Sequence, residues 1–180
     1  MADVNFSPAS PVKQRPDTPC ADPPAPLYNL IELLFFAYRD FVADADHALE
    51  IYRFGRAHHR VLHFVDRNPN LTVAELLDIL RITKQSLARV LKELIDQGFI
   101  LQREGEEDRR QRLLATTPKG RQLAAELAVA QSRRIAVALA EAGPGSHDQA
   151  VKFLSAMVDP SERATVARLI GGNSAEGGDR

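Results

Sequence analysis

The chain has no tryptophan, one cysteine in 180 residues, and an aromatic fraction of only 6%. A single cysteine excludes an intramolecular disulfide and fits a reducing compartment. So few aromatics leave little from which to build a stacking platform for single-stranded nucleic acid. An excess of charge is missing as well: 23 Lys and Arg against 24 Asp and Glu give a formal net of -1. The chain is therefore no polycation, and a nucleic-acid reader would have to concentrate its positive charge locally. No apolar run approaches the roughly 20 residues that span a bilayer. The N-terminus lacks the basic-then-apolar order of a secretory signal. No phosphate-cradling glycine loop, dinucleotide turn, G-x-S-x-G elbow or complete metal-ligand set occurs, so no enzymatic activity, cofactor or metal is expected. The composition predicts a soluble cytoplasmic protein without a membrane partner.

Proline is abundant but confined. Seven of the eleven prolines fall within residues 1–26, a density that forbids helix and sheet ladders and predicts a disordered or polyproline-like arm. Within it, Lys13 and Arg15 are either solvated charges or phosphate contacts, and Cys20 has no neighbour that would activate its thiol. From Leu27 the pattern changes. Leu27, Leu30, Ile31, Leu34, Tyr38, Phe41, Val42, Ala45, Leu49 and Tyr52 recur at intervals of three and four, and Phe35 and Phe36 extend the apolar surface beyond one stripe. Such a helix wants two partners, its own domain and a second subunit; Gly55 is expected to end it. Arg56 to Arg67 reads as a short helix with Val61, Leu62, Phe64 and Val65 inward. His59 and His63 on it have metal-ligand spacing, but Asp66 is the only further ligand type nearby, so packing histidines are the simpler reading.

The centre of the chain is Thr72 to Gln97. Thr72 with Glu75 has the spacing of a capping box, and Leu76, Leu77 and Leu80 follow at helical spacing. Thr83 offers a second cap, after which Leu87, Val90, Leu91, Leu94 and Ile95 form an apolar stripe. The opposite face carries Lys84, Gln85, Ser86, Arg89 and Lys92, with no acid before Glu93. Two short helices, the second basic and amide-rich at its start, have the composition of a helix-turn-helix reader of double-stranded DNA. Gln85, Ser86 and Arg89 are candidates for base edges, and Thr83, Lys84 and Lys92 for phosphates. Gly98 supplies a stop. A β-hairpin follows, from Phe99 through a polar tip at Gly105 to Asp108, returning along Arg109, Arg110 and Arg112, candidates for DNA phosphates or a narrow minor groove, to Thr116. Eight basic residues stand against six acids between Arg81 and Arg112. That small excess makes binding depend on placement, and it leaves open a module that docks an acidic protein partner. Asp108 either pairs with a wing arginine such as Arg110 and stiffens it, or is a solvated turn acid.

Thr117-Pro118 is a strong helix start, carried by Leu123, Leu127, Ile135 and Leu139 to about Ala142. Gly143-Pro144-Gly145 breaks it. A helix from about His147 carries Val151, Phe153, Leu154 and Met157, and Asp159-Pro160-Ser161-Glu162 opens a last one ending near Ile170. Gly171 to Arg180 reads as a flexible tail. The expected fold is mainly α with a small β-hairpin wing. A winged helix-turn-helix lobe spans residues 56–117, and a helical dimerisation stalk is built from 27–55 and 118–170.

The stretches LTVAELLDILRITKQSLARVLKELIDQGFI and DRRQRLLATTPKG resemble the MarR family of winged helix-turn-helix regulators. The family's Asp-x-Arg wing signature falls on Asp108 and Arg110. Its Leu-Thr-x-x-Gly helix start falls on Thr116, Thr117 and Gly120, with Thr116 in place of Leu expected to soften packing at the wing base. The resemblance implies a homodimer, a recognition helix in the major groove and a wing arginine in the minor groove. It also implies a repressor more readily than an activator. Two-fold symmetry predicts a pseudo-palindromic operator. The family often takes a small effector between stalk and lobe, for which Tyr38, Phe41, His58, His59 and Arg60 are candidates by position. Its peroxide-sensing branch carries a cysteine in the first helix, and none lies between Leu27 and Phe54.

Overall fold

The computed structural model describes residues 25–105 and 111–171. Most of the proline-rich arm, the hairpin tip with Asp108, Arg109 and Arg110, and residues 172–180 lie outside the described residues. The chain divides into two compact units, Met1–Phe36 and Ala37–Arg180. In the first, the described residues form the opening turns of helix α1 (Tyr28–Leu49), with Leu30, Ile31, Leu33, Leu34, Phe35 and Phe36 all exposed.

The second unit begins where α1 acquires a buried face, Val42, Ala45 and Leu49. Here the expectation for Gly55 is corrected. The helix gives way after Leu49 to one 3-10 turn, Glu50–Tyr52, and the left-handed residue is Arg53, with φ 58°. Arg53 N–H donates to Glu50 O and Phe54 N–H donates to Leu49 O, the paired bonds of a Schellman stop. An arginine occupies the position usually given to glycine, and the closing residue, Phe54, drops into the core at 6% exposure. Gly55 has extended backbone and serves as N-cap of α2 (Arg56–Arg67).

After α2 come β1 (Leu71–Thr72), α3 (Val73–Leu80), α4 (Lys84–Asp96), β2 (Ile100–Glu104) and β3 (Arg112–Thr116). The sheet has three antiparallel strands in the order β1-β3-β2, one more than the predicted hairpin. Leu71 lies opposite Leu114 and Thr72 opposite Leu113. Two residues are too few to show an alternating pattern, so β1 is visible only through its pairing. The predicted hydroxyl caps at Thr72, Thr83 and Thr117 all form. Thr72 Oγ1 accepts from Glu75 N–H while the Glu75 carboxylate accepts from Thr72 N–H at 2.9 Å. These bonds hold the Glu75 carboxyl below its usual range, the backbone donor contributing most.

The core is continuous across the lobe and the start of α5 (Pro118–Ala142). It joins Val61, Leu62 and Val65 of α2, Leu76 and Leu80 of α3, Leu87, Val90, Leu91 and Leu94 of α4, and Phe99, Ile100, Leu114, Leu123 and Leu127. Phe64, expected inward, is only partly buried. Beyond Leu127, α5 buries nothing, and α6 (Ser146–Met157) and α7 (Arg163–Gly171) have no buried residue. Val129, Ile135, Val137, Val151, Phe153, Leu154 and Met157 are exposed. Arg134 forks onto Asp44 at 2.6 and 3.0 Å and ties α5 to α1.

Among the described glycines, the closest backbone approach is at the junction between wing and α5. Gly98, at φ 73°, ends α4 with a second Schellman pair, Gly98 N–H to Ile95 O and Phe99 N–H to Leu94 O. Thr117 N–H then donates to Phe99 O at 3.0 Å, and Thr117 Oγ1 donates to Gly98 O at 2.7 Å. A Cβ on Gly120 would lie 2.0 Å from Phe99 O. Only glycine lets the first turn of α5 rest on that carbonyl. Thr116, where the family pattern has Leu, donates its hydroxyl to Asp66 Oδ1 at 2.9 Å, replacing apolar packing by a hydrogen bond to α2.

Gly120→Ala is expected to destabilise the fold by about 3 kcal/mol, because backbone must move to admit the methyl group. Thr117→Ala, which removes only the cap, should cost about 1 kcal/mol. Urea unfolding followed by circular dichroism compares them; a neutral Gly120→Ala would contradict the close approach.

Candidate nucleic-acid interface

Helix α4 is fixed on one side by its four buried apolar residues and presents the other to solvent. Thr83 Oγ1 accepts from Ser86 N–H at 3.1 Å and donates to Ser86 Oγ at 2.9 Å. The start of the helix is thereby ordered and its positive dipole end faces outward. Lys84, Gln85, Ser86 and Arg89 are exposed. Among the described residues, the side chains of Lys84, Gln85 and Arg89 have no hydrogen-bond or ion-pair partner. Lys92 differs: it pairs with Asp96 one turn on, and that hydrogen bond raises its pKa. The turn before α4 is held by Arg81 in left-handed conformation and by Arg60, whose Nη2 donates to Leu80 O at 3.0 Å.

The wing is a regular hairpin from Ile100 opposite Thr116 to Glu104 opposite Arg112. Arg112 pairs with Glu104 at 2.9 Å across its last rung, and Gly105 N–H donates to Gln111 O. Arg103 on β2 is exposed and has no ion-pair partner among the described residues. It was absent from the sequence-derived site; only the strand register, opposite Leu113, distinguishes it from the paired Arg112.

The five candidate effector residues do not share one environment. Tyr38 is exposed and Phe41 half-buried. Arg60 is engaged at the turn. His58 is buried, its ring stacked on Phe54 at 4.6 Å. Its Nδ1 accepts from Gly55 N–H at 3.1 Å, which leaves the ring proton on Nε2, 2.6 Å from Glu93 Oε2 on α4. His59 is buried beside His63, the ring centroids 6.5 Å apart. Among the described residues no group of three or more His, Cys, Asp or Glu is placed to hold a metal. A cavity of about 1040 Å³ lies elsewhere, between the turn after α2, α3 and α7, with Phe64, Leu77, Arg81, Glu162 and Leu169 in its wall. None of the five lines it.

Burial lowers the pKa of both His59 and His63 from the ordinary 6.5, with the neighbouring cations His63 and Arg67 adding to the effect. The sign follows: the neutral rings are favoured in the folded state, so stability is full above 6.5 and is lost as pH falls through the folded values. The melting temperature should therefore drop between about pH 8 and about pH 5.5, and His59→Gln/His63→Gln should flatten that slope. An unchanged slope in the double variant would assign the acid sensitivity to other groups.

A profile of the MarR family matches residues 54–111, from Phe54 to the residue before β3. The HTH-type transcriptional regulator PetP of Rhodobacter capsulatus is 48% identical over 133 residues, 74% of this chain and 80% of PetP. Among solved structures, a SlyA-like transcription regulator from Listeria monocytogenes superposes with a TM-score of 0.63 at 20% identity, covering 79% of this chain and 95% of that one. The crystal structure of MarR superposes with 0.57 at 21%, covering 78% and 98%. BpsR of Bordetella bronchiseptica, solved in connection with regulation of its DNA binding by 6-hydroxynicotinic acid, gives 0.57 at 21%, covering 73% and 99%. At those identities the structures share the fold, a winged helix on a helical support. The sequence likeness to PetP, carried through that fold, makes this chain a member of the MarR family of transcriptional regulators, a non-enzymatic family.

Proposed function

We propose that the protein is a cytoplasmic homodimer that binds a pseudo-palindromic operator in double-stranded DNA and represses transcription. The observation that carries this reading is the set of unpaired groups on the exposed start of α4. Among the described residues nothing pairs with Lys84, Gln85 or Arg89, which surround a capped helix N-terminus whose opposite face is locked in the core. Gln85, Ser86 and Arg89 would meet base edges in the major groove, and Thr83, Lys84 and Lys92 phosphates. Arg112 is tied to Glu104, so Arg109 and Arg110, oriented by Asp108, would carry the wing contact, together with Arg103.

Dimerisation is supported by apolar surface that one chain leaves uncovered on 27–55 and 118–170: the start of α1, the second half of α5, and α6. Residues 56–117 would be the DNA-binding lobe between these two halves of the stalk. Among the described residues no helix is long and apolar enough to cross a membrane. Release by a small effector is supported by BpsR, whose DNA binding 6-hydroxynicotinic acid regulates. With His58 bonded to Glu93 and Arg60 to the Leu80 carbonyl, Tyr38, Phe41 and His59 remain the candidates to meet it.

A duplex selected from a random pool by the wild-type protein, set against a scrambled duplex of equal length, provides the test. Arg89→Ala should weaken binding to the selected duplex by about 1–3 kcal/mol and leave the scrambled one nearly unaffected, whereas Lys84→Ala should weaken both alike. Equal losses for Arg89→Ala would remove its base-reading role. Arg110→Ala should weaken binding while sedimentation still shows a dimer. A steep fall of log K with log salt is expected for phosphate neutralisation; a flat response would favour a protein partner.

A further inference from the structure

We propose that His58 is a positioning residue for DNA recognition: by holding Glu93, it keeps that carboxylate off Arg89 and leaves the guanidinium free for a base. The proposal rests on the reading of Arg89 as a base contact.

Arg89 and Glu93 are one turn apart on α4, the spacing at which a cation and an acid meet along a helix. The same helix contains a control. Lys92 and Asp96 have the same order and spacing, basic residue first and acid four residues later, and they are paired. Arg89 and Glu93 are not paired. What differs is that Glu93 already has a partner, His58 Nε2 at 2.6 Å.

Three contacts make that partner a fixed one. Gly55 N–H donates to Nδ1 and so places the imidazole proton on the nitrogen that faces Glu93. The ring lies nearly parallel to Phe54, 9° between planes. Phe54 is in turn packed edge-on against Phe99 at 5.2 Å. The His58 side chain is 9% exposed and cannot swing away, whereas Glu93 is 41% exposed and mobile enough to turn toward Arg89 once released. An Arg89–Glu93 pair in the free protein would have to break before the guanidinium could take a base edge. That cost falls on the selected duplex, because only there does Arg89 gain a bidentate partner in exchange.

The experiment uses the full-length protein and the selected and scrambled duplexes described above, with the ratio of the two affinities as readout. His58→Phe keeps the stack on Phe54 and removes the donor; the ratio should fall on the order of fivefold, a partial version of the loss in Arg89→Ala. Adding Glu93→Gln to His58→Phe should restore the ratio to that of Glu93→Gln alone, since no carboxylate then competes. Glu93→Asp tests the same point without altering the core: the shorter acid no longer reaches His58 but remains one turn from Arg89, and the ratio should fall as in His58→Phe. A double variant as poor as His58→Phe, or a Glu93→Asp that discriminates like wild type, would overturn the proposal and leave His58 a packing residue. An Arg89→Ala with an unchanged ratio would overturn the base-reading role itself and this proposal with it.

Discussion

The carbonyl oxygen of Phe99 is the point on which the rest of the lobe depends. Its residue closes α4 through the Schellman bond to Leu94, opens β2, and receives the first turn of α5 through Thr117. Its ring is fully buried and meets Tyr52 and Phe54 edge-on, with the ammonium of Lys119 at 4.1 Å from its centroid. Helix α4, the wing and α5 thus meet at one residue. Gly98 permits the reversal that brings them there and Gly120 the approach. A shift of any of the three elements is felt by the others through a backbone contact, which has less freedom to give than a side chain.

That rigidity bears on how a protein of formal charge -1 could discriminate DNA sequences. Several of its cations around the lobe are already used. Arg60 caps α3, Arg112 braces the wing, Arg81 meets Glu162 and Lys92 meets Asp96. These exposed pairs contribute little to stability individually. Their effect is to sort the positive charges into structural and unoccupied ones. On α4 the cations without a partner among the described residues are Lys84 and Arg89, near its start, where the helix dipole reinforces them.

The two halves of the molecule differ in how their apolar residues are used. In the lobe nearly every stripe residue is buried. In α5 beyond Leu127, in α6 and in the first turns of α1 they are not. Arg134 ties α5 to α1 through Asp44, and Arg56 ties α2 to α1 through Asp46. A helix surface of that kind is complete only when something covers it, the physical basis for reading it as the dimer stalk.

The sequence alone determined the elements whose causes are local. The hydroxyl caps at Thr72, Thr83 and Thr117, the stop at Gly98, the hairpin and the helical stripes each depend on residues within a few positions of one another, and all are present. The unusual basic face of α4 was legible for the same reason. Tertiary structure decided what depends on distant partners. Strand β1 exists because Leu114 lies beside Leu71. Arg53, not Gly55, turns left-handed because Phe54 must enter the core, and burial outweighs the backbone preference of a non-glycine residue. His58 read as an effector candidate by position; only the fold sets its Nε2 against a carboxylate 35 residues away on α4.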